Sequence, residues 1–489
     1  MPPCRSCPGP RPGPSLGTRH RVPPRRGEHS LQIVAQQPSE SWYYRAVTTR
    51  SGVAGEAHGP VPRGSAAPPL SHRVTRRALE VAASRLAVEP VVALQGPRTV
   101  GKSTLLRELA RELGADIVDL DDPALREIAK ADPGMLVAGP VPVCIDEYQH
   151  VPGILDAMKS ELNRDLRPGR FVLAGSTRYQ AVPLAAQALT GRLHLLPVWP
   201  LSQGELAGVR ENLLQVALSN PAAMVTGETA PTTRHQYVQM VAAGGFPLAL
   251  ARTAGAGRNR WFDDYVTLVL ERDVRELARI RQREQLPLLL RRVTAQTAQV
   301  LNVNAAARVL GMDRTVASDY LRLLEAAFLI HRLPAWGTTL RARAAGSPKV
   351  HLVDSGLAAR LLRLGPERLA GKDPAALTEF GHLLETFVVG ELLKQASWLD
   401  GIAGYGHWRT HDGDEVDLVI ERDDGAVVAF EVKASARVPG EGMRSLTKLR
   451  DAVGDGFIAG VALYLGSRSY TFAERLLVLP VDRIWTPVE

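Results

Sequence analysis

From Val91 to Gly175 short apolar runs alternate with helical stretches. Val91–Gln95 (VVALQ) is apolar throughout its length and ends in a glycine-rich loop. The following STLLRELARELG repeats its leucines at helical spacing and closes on Gly114, the pattern of an amphipathic helix with a glycine stop. Asp116–Leu120, Val141–Asp146 and Arg170–Gly175 are further short apolar runs with helical stretches between them. Apolar strands joined by helices predict an α/β fold with a parallel sheet covered on both faces.

After Pro197–Leu206 (PVWPLSQGEL) the strand pattern stops. A mainly helical region is expected to about Arg283, broken at Ala242–Pro247 (AAGGFP). The run from Asn302 to Leu333 predicts a short helix, a turn at Gly311–Met312–Asp313, a second helix and an apolar strand, the order of a winged helix-turn-helix. On the second helix Arg314, Thr315, Ser318 and Arg322 are expected to face outward, and Val316, Tyr320, Leu323 and Leu324 inward. Apolar strands return from about Pro348. The expected division is a tail over 1–70, an α/β core over 71–206, a helical lid or linker over 207–285, a winged-helix-like unit over 286–345 and a second α/β unit over 346–489.

Composition changes this picture in one place. The sequence has a pI near 9.5 and a net charge of +8, which suggests a nucleic-acid partner. Residues 1–74, however, hold ten Arg and three Glu, so +7 of that charge belongs to a Pro/Arg/Gly-rich stretch with no periodicity. That tail is expected to be disordered and to carry no chemistry. Its Cys4 and Cys7 have C-x-x-C spacing but lack the second ligand pair of a zinc site. Cys144, in an apolar run, reads as a core residue. No apolar run of eighteen residues and no secretory signal appears, so the expectation is a cytoplasmic protein without a membrane partner.

The loop Gly96–Pro97–Arg98–Thr99–Val100–Gly101–Lys102–Ser103–Thr104 completes the pattern G-x-x-x-x-G-K-[ST] between a strand and a helix. Its glycines let backbone N–H groups turn toward phosphates, and the helix N-terminus adds partial positive charge. Lys102 is expected on the β- and γ-phosphates of ATP, and the Ser103 hydroxyl on Mg²⁺. The strand VPVCIDE ends in two acids: Asp146 to hold Mg²⁺ and Glu147 to polarise the attacking water. Ser176, at the end of LAGS, either senses the γ-phosphate or caps a helix. Arg192, in LTGR, is either an arginine finger for a neighbouring subunit or a solvated surface charge.

In this order GPRTVGKSTLL, CIDEYQHVP, VLAGS, LTGR and PLSQGEL resemble a family of prokaryotic AAA-type ATPases with a C-terminal domain of unknown function. GGFP, ERDV, SPKVHLVDSGLAARLL, HLLETFVVGELL and FEVKAS extend the resemblance, which spans about residues 72 to 480. It implies an ATPase module followed by further domains.

EVDLVIE and AVVAFEVK read as two strands of a hairpin. A three-residue loop, Asp423–Asp424–Gly425, places Asp417 opposite Glu431 and puts Lys433 on the same face. Two acids and a lysine suit metal-assisted phosphodiester cleavage, with Asp417 and Glu431 on the metal. Glu385, on a helix, is the remaining acid. The set Glu385, Asp417, Glu431 and Lys433 resembles the PD-(D/E)xK restriction-endonuclease-like fold, although Thr386 stands where that family usually has Asn. Two acids face to face without a cation repel, so Asp417→Asn is expected to stabilise the metal-free protein.

Two functions stay open. One is an ATPase whose nucleotide state controls a DNA-associated, nuclease-like C-terminal domain. The other is an ATP-dependent switch whose C-terminal modules only bind partners: DNA, other proteins or further copies of the chain.

Overall fold

The computed structural model describes residues 70–488 except residues 177, 179–188, 275–283, 340–342 and 344–345. The basic tail over 1–69, with Cys4 and Cys7, lies outside the described residues.

Helix α1 (Arg77–Leu86) leads into five strands: β1 (Val91–Gln95), β2 (Ile117–Asp119), β3 (Val143–Asp146), β4 (Phe171–Gly175) and β5 (Leu193–Pro197). They form one sheet in the order β2-β3-β4-β1-β5, parallel throughout. The continuous apolarity of β1 has a direct cause. Val92 and Leu94 face Leu105, Leu106 and Leu109 of α2 (Lys102–Leu113), while Val91 and Ala93 join Ile154, Leu155 and Met158 of α3 (Gly153–Arg164) on the other side. β5 has no counterpart in the sequence reading. It is a half-buried edge strand with a polar His194 in its middle, so its pattern is weak.

The region expected as lid or linker is built into the fold. Helices α4 (Gln203–Ala207), α5 (Leu213–Ser219) and α6 (Arg234–Ala243) follow the first sheet, and α5 and α6 pack against the long helix Pro374–Ala396. Next come α7 (Gln285–Thr294), β6 (Gln299–Val300), α8 (Val303–Val309), α9 (Arg314–Ala326), β7 (Ile330–Leu333) and β8 (Lys349–Leu352), with an antiparallel sheet ordered β6-β8-β7. β8 therefore pairs with β6 and β7, although it lies beyond the boundary expected at residue 345. Fifteen residues separate it from its partner β7, a distance that no local pattern bridges. On α9, Arg314, Thr315 and Arg322 are exposed and Tyr320 and Leu324 buried, as expected. Ser318, Val316 and Leu323 are half-buried instead, and Ala317 and Leu321 complete the inner stripe. The stripe is rotated by about one residue from the expected one.

After α10 (Ser355–Leu361), α11 (Pro374–Ala396) precedes a mixed six-stranded sheet. Its strands are β9 (Ile402–Arg409), β10 (Glu415–Arg422), β11 (Val427–Lys433), β12 (Phe457–Tyr464), β13 (Tyr470–Ala473) and β14 (Leu476–Pro480), in the order β13-β14-β12-β11-β10-β9. The β10–β11 pair has the expected register, with Leu418 opposite Phe430 and Asp423–Asp424–Gly425 as the loop. α11 is apolar on most sides because it touches β10 and β11 on one side and α5, α6 and α10 on others. A single hydrophobic cluster runs from Leu105 and Leu106 through Leu213, Phe246 and Leu290 to Val388, Phe430 and Leu463. None of the described helices is long and apolar enough to cross a membrane.

Candidate functional site

The glycine-rich loop leaves β1 at Gln95 and enters α2 at Lys102. Two of its glycines are required by geometry. A Cβ on Gly96 would lie inside the van der Waals shell of the Val198 carbonyl oxygen, and Gly101 has φ +98°. Lys102 is buried, and its Nζ donates to the carbonyls of Gly96 (3.0 Å) and Pro97 (2.7 Å). Pro97 and Val100 are buried, Thr99 and Thr104 exposed, and Arg98 half-buried.

β3 and β4 are neighbours, so their ends meet beside the loop. The Ser103 hydroxyl lies beside Asp146 and works to lower its carboxyl. Ser176 Oγ donates to Glu147 Oε1 (3.0 Å), and Gln149 Nε2 donates to Glu147 Oε2. Arg98 Nη1 stands 3.9 Å from Glu147 Oε1. Gly175 is needed here as well, since a Cβ would stand 2.6 Å from the Tyr148 ring. Burial pushes the Asp146 carboxyl up to about 6, the charges of Glu147 and Asp119 push the same way, and the neighbouring Ser103 hydroxyl opposes them. Burial also works to raise Glu147, but the charges of Lys102 and Arg98 and the bonds from Gln149 and Ser176 outweigh it. Glu147 is held below the usual carboxylate range. Arg192 stands apart from this set: its guanidinium donates to Asn163 Oδ1 (2.7 Å) on α3.

Oxygen donors on Ser103 and Asp146 suit a hard cation such as Mg²⁺, and a loop without Cβ atoms at Gly96 and Gly101 suits a phosphate chain. The residues present therefore fit ATP·Mg²⁺.

Two residues that the pattern did not single out hold this loop. Arg76, just before α1, donates from Nη1 to the Val100 carbonyl (2.6 Å), from Nη2 to the Trp199 carbonyl (2.7 Å) and from Nε to Glu205 Oε1 (3.0 Å). Both Arg76 and Glu205 are buried.

In the C-terminal part, α11, β10 and β11 bring Glu385, Asp417, Glu431 and Lys433 toward one place, and Lys349 of β8 stands in it. The Lys349 side chain is 0% exposed. Its Nζ lies 2.7 Å from Glu385 Oε1 and 2.9 Å from Asp417 Oδ1, and it also pairs with Glu415. Asp417 Oδ2 accepts from the Val432 N–H (2.8 Å), so both of its oxygens are engaged. Lys433 Nζ donates to Glu431 Oε1 (2.7 Å), while Glu431 Oε2 is buried without a hydrogen-bond partner. Burial and then Asp417 push Glu431 up to about 8 against the pull of Lys433. Burial and Asp417 likewise hold Glu385 well above its usual range, with Lys349 opposing. Burial works to lower Lys349, but its three acids outweigh that and raise it above the usual lysine value. Among the described residues no group of three or more His, Cys, Asp or Glu is placed to hold a metal ion.

Glu415 was within reach of the sequence, since it lies two residues before Asp417 on one strand and so shares its face. Lys349 carried a fainter signal, a lone lysine in the apolar run KVHLV, which needs acid partners if the strand is buried.

Residues 88–207 match the family model of an AAA domain. Residues 234–368 and 380–484 match two domains of unknown function, DUF8612 and DUF4143. The uncharacterized proteins Rv2008c of Mycobacterium tuberculosis and Mb2031c of Mycobacterium bovis are each 28% identical over 405 residues, 81% of this chain and 81% of theirs. Among solved structures, a Walker-type ATPase of Pyrococcus abyssi is similar at 13% identity and a TM-score of 0.35, covering 58% of this chain and 94% of that one. The RuvB Holliday junction branch migration motor of Thermotoga maritima is similar at 20% identity and a TM-score of 0.26, covering 53% of this chain and 86% of that one. The loop, the two strand acids and Ser176 all lie inside residues 88–207, the span that matches the AAA domain.

Proposed function

We propose that the chain is an ATP-hydrolysing switch, in which the AAA domain sets the state of C-terminal modules that bind a partner. The observation that carries the ATPase part is the convergence of Ser103 with Asp146 and of Ser176 with Glu147 beside the loop of Lys102. In this reading Lys102 leaves the Gly96 and Pro97 carbonyls for the phosphates, and the loop amides bind them. Ser103 and Asp146 hold Mg²⁺, which supplies charge neutralisation at the phosphates. Glu147, held ionised, accepts a proton from the attacking water, and Ser176 keeps its carboxylate in place. Arg192 is half-buried on the surface and is assigned no role within its own subunit. Lys102→Ala is expected to lose most nucleotide affinity, and Glu147→Gln to bind ATP without turning it over. An unchanged hydrolysis rate in Glu147→Gln removes that residue from the role.

For the C-terminal part the binding-module reading is favoured over the nuclease-like one, and Lys349 is the reason. Its ammonium stands between Glu385, Asp417 and Glu415, where a metal of the PD-(D/E)xK arrangement would be held, and both oxygens of Asp417 are occupied. A divalent cation there has to displace a buried ammonium with three carboxylate partners. The winged-helix reading of residues 286–345 belongs to the same proposal. The outer face of α9, with Arg314, Thr315 and Arg322, is its docking face, for DNA or protein. Plasmid nicking with Mg²⁺ or Mn²⁺, with and without ATP, tests the choice: no nicking is expected, and nicking abolished by Asp417→Asn and by Lys433→Ala would restore the nuclease reading.

A further inference from the structure

The phosphate loop is ordinarily credited to its own residues, yet one of its outward carbonyls is held from a distance. Arg76 lies 24 positions before Val100, and its Nη1 donates to the Val100 oxygen at 2.6 Å. The same guanidinium holds the Trp199 carbonyl at 2.7 Å, where the chain leaves β5. Its Nε rests on Glu205 Oε1 at 3.0 Å. Glu205 is itself fixed: Oε1 also accepts from the Arg77 N–H (2.9 Å), and Oε2 from the Ser202 N–H (3.0 Å). Three of the guanidinium's donor groups are thus spent on three acceptors in a buried site, a fork that a lysine cannot reproduce.

The Val100–Gly101 peptide is trans, so its C=O and N–H point in opposite directions. A carbonyl drawn toward Arg76 aims the Gly101 N–H away from it. Gly101 is also the N-cap of α2 and holds φ +98°, so that peptide sets how the loop enters the helix. A cation behind the carbonyl polarises the peptide and adds positive potential near the phosphates.

We propose that Arg76 is a positioning residue for nucleotide binding, which holds the Val100–Gly101 peptide with its N–H turned into the loop and is itself held by Glu205. This rests on the ATPase reading above. It places a determinant of ATP affinity outside the loop motif and before the matched AAA span.

The test uses the full chain and four proteins: parent, Lys102→Ala, Arg76→Ala and Arg76→Lys. Fluorescent ATP·Mg²⁺ titration gives Kd, steady-state hydrolysis gives kcat and KM, and far-UV circular dichroism with nucleotide-free melting follows the fold. Arg76→Ala is expected to weaken nucleotide binding about tenfold or more, the loss of a charge-assisted bond behind the loop. The loss appears in Kd and KM more than in kcat, because Arg76 touches neither the phosphates nor the attacking water. Added methylguanidinium is expected to restore part of the affinity of Arg76→Ala and none of Lys102→Ala, a readout that a merely structural role would not give. If Arg76→Ala does not fold, Arg76→Lys decides: it keeps the charge, can satisfy only some of the acceptors, and is expected to bind several-fold more weakly than the parent. Affinity within twofold of the parent in a folded Arg76 variant overturns the proposal while leaving the ATPase reading intact. A parent that binds no better than Lys102→Ala overturns the ATPase reading, and this proposal with it.

Discussion

Lys349→Met isolates what the buried ammonium does among the C-terminal acids. Methionine keeps the length and apolar stem of the side chain but removes the cation, so Glu385, Glu415 and Asp417 face one another across a buried space. Removing one partner of a buried ion pair costs about 3–5 kcal/mol, because the remaining charge is left without compensation. That range is the expected loss at pH 8.5. The pH dependence has a definite sign. Glu385 is already held well above its usual value, and losing Lys349 raises it further. A carboxyl whose folded pKa lies above its unfolded one gives stability that is present below about 4.5 and lost as pH rises through the folded value. The variant's deficit is therefore expected to be smaller at pH 5.5 than at pH 8.5, as Glu385 takes up a proton. Urea unfolding of parent and variant at both pH values measures it. In a second arm Mg²⁺ is added at pH 8.5. The variant offers three carboxylates with no ammonium among them and is expected to recover part of its stability, while the parent shows no such gain. A variant as stable as the parent at pH 8.5, or a deficit that grows on acidification, would refute the reasoning. An equal response of both proteins to Mg²⁺ would show that Lys349 does not fill a cation's place.

Two further predictions concern single acids. Asp146 is pushed up to about 6, so the form that can hold Mg²⁺ is lost as pH falls through that value. Mg²⁺-dependent nucleotide binding should weaken from pH 7.5 to pH 5.5, and Asp146→Asn should bind weakly and show little of that dependence when Kd is measured across the range. Asp417→Asn, expected from sequence to stabilise the metal-free protein, is now expected to destabilise it by about 1–3 kcal/mol, because Lys349 loses a charged acceptor. A higher melting temperature for Asp417→Asn would mean that repulsion between the acids outweighs the lysine.

The glycine-rich loop between β1 and α2 was legible in the sequence because its requirements are local. A strand, two glycines, a lysine, a serine and a helix follow one another within a few residues, and each has its reason in backbone geometry. The β10–β11 register was legible for the same reason, since loop length and period-two alternation fix which residues oppose each other. β5 escaped because an edge strand is only half-buried and needs no apolar pattern. Tertiary structure decided what stands behind these local features. Arg76 meets Glu205 across 129 positions, and Lys349 meets Asp417 across 68. Each is one charged residue beside otherwise ordinary segments, and no spacing rule links it to its partner. What joins them is burial: a charge taken out of water must find an opposite charge or an acceptor, and only the packed fold determines which one is near.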